Sequence, residues 1–167
     1  MYMSAAERFD SLTELLSRQG VIDKLLELIA LSERYKQNLS LSLLDIDHLN
    51  KVNERYGQFI GDAVLESVAR IIHQNIRGSD IAGRYGDDEF VIVLPRSNLY
   101  AANVTAERIR NTIQEAGMKD ADGKAFTVTV SQGLATWEQG ENSQSLLSRA
   151  EENLIKAKKN GRNRVEM

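Results

Sequence analysis

Three consecutive acids, Asp87-Asp88-Glu89, stand directly behind Gly86 and directly before an apolar run from Phe90 to Leu94. Like charges at neighbouring positions repel unless water or a cation screens them. Oxygen-only ligands suit Mg²⁺, which usually keeps waters and takes substrate phosphates as its remaining ligands. A second acidic pair, Asp45-Ile46-Asp47, closes the segment Leu39 to Asp45, which alternates and then turns apolar. Carboxylates at the end of one buried strand and at the tip of a neighbouring hairpin can share an ion. That arrangement serves two-metal phosphoryl transfer, in which the ions neutralise charge on the attacking and leaving oxygens. Each cluster also has an ordinary reading, since acidic turns are commonly just solvated and a strand-terminal Asp commonly caps a turn or helix. His48 and His73 have no zinc-like spacing, and the chain has no cysteine.

The elements that must position these acids follow from periodicity. Phe90 to Leu94 is too short and too β-branched for a helix, and Ile81 to Arg84 can pair with it, so the acids form the tip of a hairpin around Gly86. Pro95, the only proline, suits the strand exit. Leu39 to Asp45 reads as a central strand. Apolar residues at helical spacing give helices over Gln19 to Lys36 (Ile22, Leu25, Leu26, Ile29) and Ile60 to Ile76 (Val64, Val68, Ile71, Ile72). A third spans Leu99 to Ala116 (Ala106, Ile109, Ile113, Ala116), and a last one carries Leu147, Ala150, Leu154 and Ala157. His48 to Tyr56 is a polar helix whose first amides would face an anion beside Asp45, with Gly57 and Gly61 punctuating the junction. Ser4 to Leu16 is expected to be a lead-in helix capped by Ser4, with Leu12, Leu15 and Leu16 able to face a core. Phe126 to Ser131 reads as a strand after the turn Asp120 to Gly123. Helices interleaved with strands, one pair of them a hairpin, predict a mixed α/β sheet.

The motifs together carry a resemblance. Arg84-Tyr85-Gly86-Asp87-Asp88-Glu89-Phe90 is similar to the signature of the GGDEF family of diguanylate cyclases, with Asp87 where the second glycine is usual. Asp45-Ile46-Asp47, Asn53, Gly57 and Gly61-Asp62 follow the family's spacing. Arg77-x-x-Asp80, six residues ahead of Gly86, resembles its product-binding inhibitory motif. Ala157-Lys158-x-x-Gly161-Arg162-Asn163 is similar to the closing segment, and Asp10-x-Leu12-Thr13 to the opening one. The resemblance spans about residues 10 to 165.

It implies an α+β fold with a central five-stranded, mostly antiparallel sheet flanked by helices, the palm-like architecture of nucleotide cyclases and polymerases. It implies condensation of two GTP into the second messenger cyclic di-GMP by a homodimer. Asp45, the Ile46 carbonyl and Asp88 would hold Mg²⁺, or Mn²⁺ in its place, and Asp88 and Glu89 would form the catalytic acidic centre. Asn53 and Asp62 would read the guanine edge, an Asp accepting from the ring N–H and exocyclic amine that adenine lacks. Asn50, Gly86, Lys158 and Arg162 would meet the rest of the substrate, and Arg77, Asp80 and Arg108 would form the inhibitory product site. Besides Asp87, the departures from the pattern are Asn50 for a lysine, Leu49 for a phenylalanine, Gln58 for a histidine, and Glu14 and Ser17 for the opening motif's Gly and Asn, whereas Arg18 is kept. Two other readings stay open: a degenerate receptor for GTP or cyclic di-GMP, and a dimerisation or docking module.

Composition bounds these readings. At 167 residues the chain is expected to be a single domain, with 1–9 as lead-in helix or linker from an absent upstream domain. Apolar residues make up 42% and charged residues 27%, with a net charge of −3, which argues against a nucleic-acid polymer as partner. A nucleotide needs only a local basic patch, such as Lys156, Lys158, Lys159, Arg162 and Arg164. The absence of cysteine and of a signal-like N-terminus fits a cytoplasmic domain without membrane contact of its own, within a longer sensor, soluble or membrane-bound.

Overall fold

One strand lies so deep that all the rest is arranged around it: β1 (Leu39–Ile46) is buried along its whole length. The computed structural model describes residues 4–167, so the first three residues of the expected lead-in lie outside the described residues. Before β1 come α1 (Ala5–Arg8) and α2 (Arg18–Tyr35). After it follow α3 (Leu49–Tyr56), α4 (Gln58–Asn75), β2 (Ile81–Arg84), β3 (Glu89–Pro95) and α5 (Leu99–Ala116). The chain closes with β4 (Met118–Lys119), β5 (Ala125–Phe126), β6 (Val130–Thr136), α6 (Ser143–Lys159) and β7 (Val165–Glu166). The five-stranded sheet has the order β2-β3-β1-β6-β7, antiparallel throughout except for the parallel pair β6 and β7. Strands β4 and β5 form a separate small hairpin, closed by the Asp120 to Gly123 turn.

The period-two alternation of strands divides the core into two layers. Leu39, Leu41, Leu43, Val91 and Val93 face α2 and α6, where Val21, Leu25, Leu147 and Leu154 meet them. Leu44, Ile46, Phe90, Ile92 and Leu94 face α4 and α5, packing on Val64, Val68, Ile72, Ala106 and Ile109. Leu49, in the place usual for phenylalanine, is buried in this second layer. Ser42 Oγ donates to the buried Gln132 side chain (2.9 Å), whose amide donates to the Ala106 carbonyl (2.8 Å), so the polar atoms within that layer are satisfied.

Three sequence expectations are corrected. The lead-in helix ends at Arg8 rather than Leu16: Ser4 caps it through a capping box, but Phe9 then bridges to Leu16 and the intervening residues form a turn. Glu14 in that turn has φ 62°, the left-handed conformation for which a glycine is suited, and this is the position where the resembling motif has one. The strand placed at Phe126 to Ser131 runs instead from Val130 to Thr136, because the ladder with β1 pairs every residue of that span, Gly133, a poor strand former, included. On α2, Leu26 is exposed while Val21, Leu25 and Ser32 are buried, so the inward stripe sits one residue earlier than its Leu26 marker.

Backbone groups at the β2 edge and along β6 are taken up by neighbouring residues. Beside β2, Leu16 exchanges backbone hydrogen bonds with Ala82 and Arg84 (3.3 and 2.8 Å). Beyond the two residues of β7, the Leu134 and Thr136 carbonyls accept from Asn153 Nδ2 (2.8 Å) and Arg149 Nη2 (2.6 Å) of α6. Among the described residues no helix is long and apolar enough to cross a membrane.

Gly133 sets how closely α6 lies on the sheet: a Cβ there would stand 2.1 Å from the Ala150 carbonyl oxygen and 2.2 Å from the Leu154 nitrogen. Since backbone cannot yield as a side-chain tip does, Gly133→Ala is expected to destabilise the fold by about 3 kcal/mol or more, read as a lowered midpoint in urea unfolding.

Candidate active site

The register of the two central strands brings the two acidic segments together. Asp45 lies directly opposite Glu89 in the β1–β3 ladder, and the Ile46 amide donates to the Asp88 carbonyl (3.1 Å). Period two places Asp45 and Glu89 on the face covered by α6, whose last turn supplies Lys158. The Lys158 ammonium pairs with Asp45 Oδ2, while Asp45 Oδ1 is buried and has no hydrogen-bond partner. Burial raises the Asp45 carboxyl to about 6; Lys158 opposes this, and the charges of Asp88 and Glu89 add to it. Glu89 is raised as well, by burial first, with Asp88 and Glu151 adding and Lys158 and Arg18 opposing. An ionised Asp45 therefore disfavours the folded chain at neutral pH, and that penalty fades as pH falls through 6 toward the unfolded value.

The hairpin tip is fixed from below. Arg84 donates through Nη2 to the Asp87 carbonyl (2.8 Å) and through Nε to the Gly86 carbonyl (3.3 Å), and it pairs with Asp10 at 3.3 Å. Asp10 is held by the Thr13 amide and hydroxyl (2.8 and 2.7 Å); these bonds and Arg84 outweigh burial and lower its pKa. The opening motif thus braces the acidic turn. Arg18 stacks over Tyr85, its guanidinium carbon 4.3 Å from the ring centroid. Gly86 leaves space for the Glu89 carboxylate, whose Oε2 would lie 3.1 Å from a Cβ at that position. Neither Gly86 nor Asp87 has a positive φ, so the exchange of glycine for Asp87 brings no backbone strain. Asp87 is exposed and contributes charge at the tip.

A second group of residues flanks this centre. The Asn53 side chain lies against Gly61, where a Cβ would meet Asn53 Oδ1 at 1.6 Å, and Asp62 follows on the next residue of α4. The α3–α4 junction between them needs Gly57, at φ 87° and ψ 162°. His48, at the start of α3, makes no side-chain cap, so its side chain does not take up the first amides of that helix. Asn50 and Gln58 are exposed.

The closing loop is the part whose anchoring the sequence reading missed. Asp47, buried, accepts from Thr129 Oγ1 (2.7 Å), Ser131 Oγ (2.7 Å) and the Asn163 amide (3.1 Å). Asn163 Oδ1 accepts from Arg110 Nη1 of α5 (2.9 Å). Arg162 and Asn163 both have positive φ, 63° and 46°, so these anchors hold a backbone that would otherwise relax. Arg162 itself is exposed, and its guanidinium makes no hydrogen bond or ion pair among the described residues. Away from this centre, Asp80 is buried and accepts from the Arg77 amide (2.7 Å), while Arg77 Nη2 donates to Ser97 Oγ (2.7 Å). Arg108 donates to the Asn75 carbonyl (2.6 Å), beside the same loop.

This geometry has close counterparts. A sequence profile described as "Diguanylate cyclase, GGDEF domain" matches residues 7–164. The chain belongs to the GGDEF domain family. Diguanylate cyclase A of Treponema denticola is 41% identical over 131 residues, covering 78% of this chain and 35% of the relative. Diguanylate cyclase DosC of Escherichia coli K12 is 35% identical over 158 residues, covering 95% of this chain and 34% of the relative. The chain thus spans about a third of the length of these relatives. The GGDEF domain of DgcB from Caulobacter crescentus, solved in complex with c-di-GMP, superposes with a TM-score of 0.94 at 32% identity, covering 99% of this chain and 96% of that one. The diguanylate cyclase SiaD of Pseudomonas aeruginosa, solved with its activator SiaC, superposes at 0.92 with 32% identity, covering 96% of this chain and 61% of that one. The five-stranded sheet flanked by helices is that of these GGDEF domains.

Because Asp47 satisfies two hydroxyls and one amide, Asp47→Ala is expected to cost about 3 kcal/mol, and Asp47→Asn clearly less, since the Asn oxygen still accepts from Asn163. Urea unfolding of the three proteins side by side measures the difference.

Proposed function

We propose that this GGDEF domain is the catalytic unit of a longer signalling protein, and that as a homodimer it condenses two GTP into cyclic di-GMP with release of two pyrophosphates. The observation that carries the reading is the opposition of Asp45 and Glu89 across β1 and β3, with a buried Asp45 oxygen left without a partner. Such an oxygen fits a hard cation. Mg²⁺ or Mn²⁺ there would take substrate phosphates as further ligands. Asp45, the Ile46 carbonyl and Asp88 would hold it, and when bound it would neutralise charge on the phosphates.

The chain's own residues do the rest. Asn53 and Asp62, adjacent through Gly61, take the guanine edge and select GTP over ATP. The first amides of α3, with Lys158 and Arg162, take the phosphates. Glu89 accepts the proton of the 3′-hydroxyl, which attacks the α-phosphate of the GTP on the partner subunit. One chain offers half of the reacting pair, so rate depends on pairing and orientation. Arg77, Asp80 and Arg108 bind product: Arg77 is exposed and already oriented by Asp80 and Ser97. A receptor without turnover is favoured by one observation, the exposed charge of Asp87 at the tip.

Incubation with GTP and Mg²⁺ at high protein concentration, with products read by mass spectrometry, is expected to give cyclic di-GMP from the parent. Asp88→Ala is expected to lower the rate by about 100-fold or more. Binding of GTP or cyclic di-GMP without product would replace the cyclase by the receptor reading. Removing the extra charge by Asp87→Gly is expected to lower KM for GTP about fivefold, the effect of roughly 1 kcal/mol of Coulomb repulsion in water. An unchanged KM would show that Asp87 does not face the triphosphate.

A further inference from the structure

The chain carries its own cation at the acidic centre. Asp45 is 6% exposed, and of its two oxygens one is paired with Lys158 and the other is buried and bare. Lys158 is the longer-armed partner of the two: it sits in the last turn of α6, its side chain is 35% exposed, and its flexible stem carries three rotatable donors. The positive charge it places on Asp45 repels a divalent ion approaching the bare oxygen. Arg162, four residues on, is bound to nothing among the described residues and stands ready for an anion.

We infer that Lys158 occupies the cation position at Asp45 until nucleotide arrives, and that the triphosphate draws it away, so that the divalent ion binds this chain tightly only together with nucleotide. This rests on the GTP reading above and deepens it. Without phosphate, Lys158 neutralises a carboxylate that is otherwise costly to bury. With phosphate, the ammonium gains several oxygens in exchange for one, and Asp45 is released to the ion. Asp88 and Glu89 add negative charge at Asp45, Asp88 and Glu151 add it at Glu89, and Arg18 opposes them there, so removal of Lys158 leaves the centre strongly acidic.

Mn²⁺ binding followed by electron paramagnetic resonance tests this with the purified chain, with and without a non-hydrolysable GTP analogue. Lys158→Met is expected to bind Mn²⁺ about tenfold or more tightly than the parent in the absence of nucleotide. Addition of the analogue is expected to tighten Mn²⁺ binding to the parent and to change it much less in the variant. Lys158→Arg, which keeps the charge, is expected to bind Mn²⁺ as weakly as the parent. Should the Met variant fail to fold by circular dichroism, Lys158→Gln, which keeps a donor for Asp45 without the charge, gives the same comparison. A neutral variant that binds Mn²⁺ no more tightly than the parent without nucleotide overturns the inference. Failure of the analogue to bind any of the proteins rejects the GTP reading and with it the phosphate-driven exchange, whereas the nucleotide-free arm still decides whether Lys158 blocks the ion.

Discussion

Everything near the acidic centre follows from one electrostatic constraint: two acids stand opposite each other on a pair of packed strands, and burial penalises the charge of both. The backbone ladder fixes Asp45 opposite Glu89, and the packed layers on both sheet faces fix the ladder. The neighbouring acids add to that penalty, and positive charge offsets it. The fold supplies some of that charge itself, through Lys158 on one side and Arg18 near the other.

Delivering Lys158 to that place depends on α6 lying unusually close to the sheet. Gly133 permits the approach, because the backbone of α6 occupies the volume of the missing side chain. On the opposite side, the Arg84 guanidinium joins three backbone or side-chain partners from the turn and the opening motif into one brace. Helix and hairpin are thus positioned by independent devices. Their convergence on Asp45 is a property of the tertiary structure and of neither element alone.

Much of this was legible in the residues, for physical reasons. Strong alternation in Leu39 to Ile46 and the short β-branched run before Pro95 each permit one secondary structure, and α5 shows its full extent because Asn98 caps one end and Gly117 the other. The pairing of the acids was inferable once both segments were read as strand ends. Other features were not. Gln132 and Gly133 look like loop residues, and the ladders with β1 and β7, together with the Ser42 and Ala106 partners of Gln132, explain a strand through them. The lead-in looks helical because its apolar residues have helical spacing, yet they serve a turn that pairs with β2. The role of Asp47 depends on Thr129, Ser131 and Asn163, residues far along the chain, and no local pattern encodes that meeting. Its signal lay in the acid being repeated two residues after Asp45.

The bonding of backbone groups at the sheet margins bears on how two copies can meet. Leu16 takes the hydrogen-bonding positions beside β2, and α6 side chains take the carbonyls beyond β7. These bonds take up backbone groups that would otherwise be open to pairing at the β2 edge and along β6. Association between copies is left to side-chain surfaces and to whatever ligand lies between them. Were two copies to meet through such surfaces, the contacts would form and dissolve without either copy having to unfold.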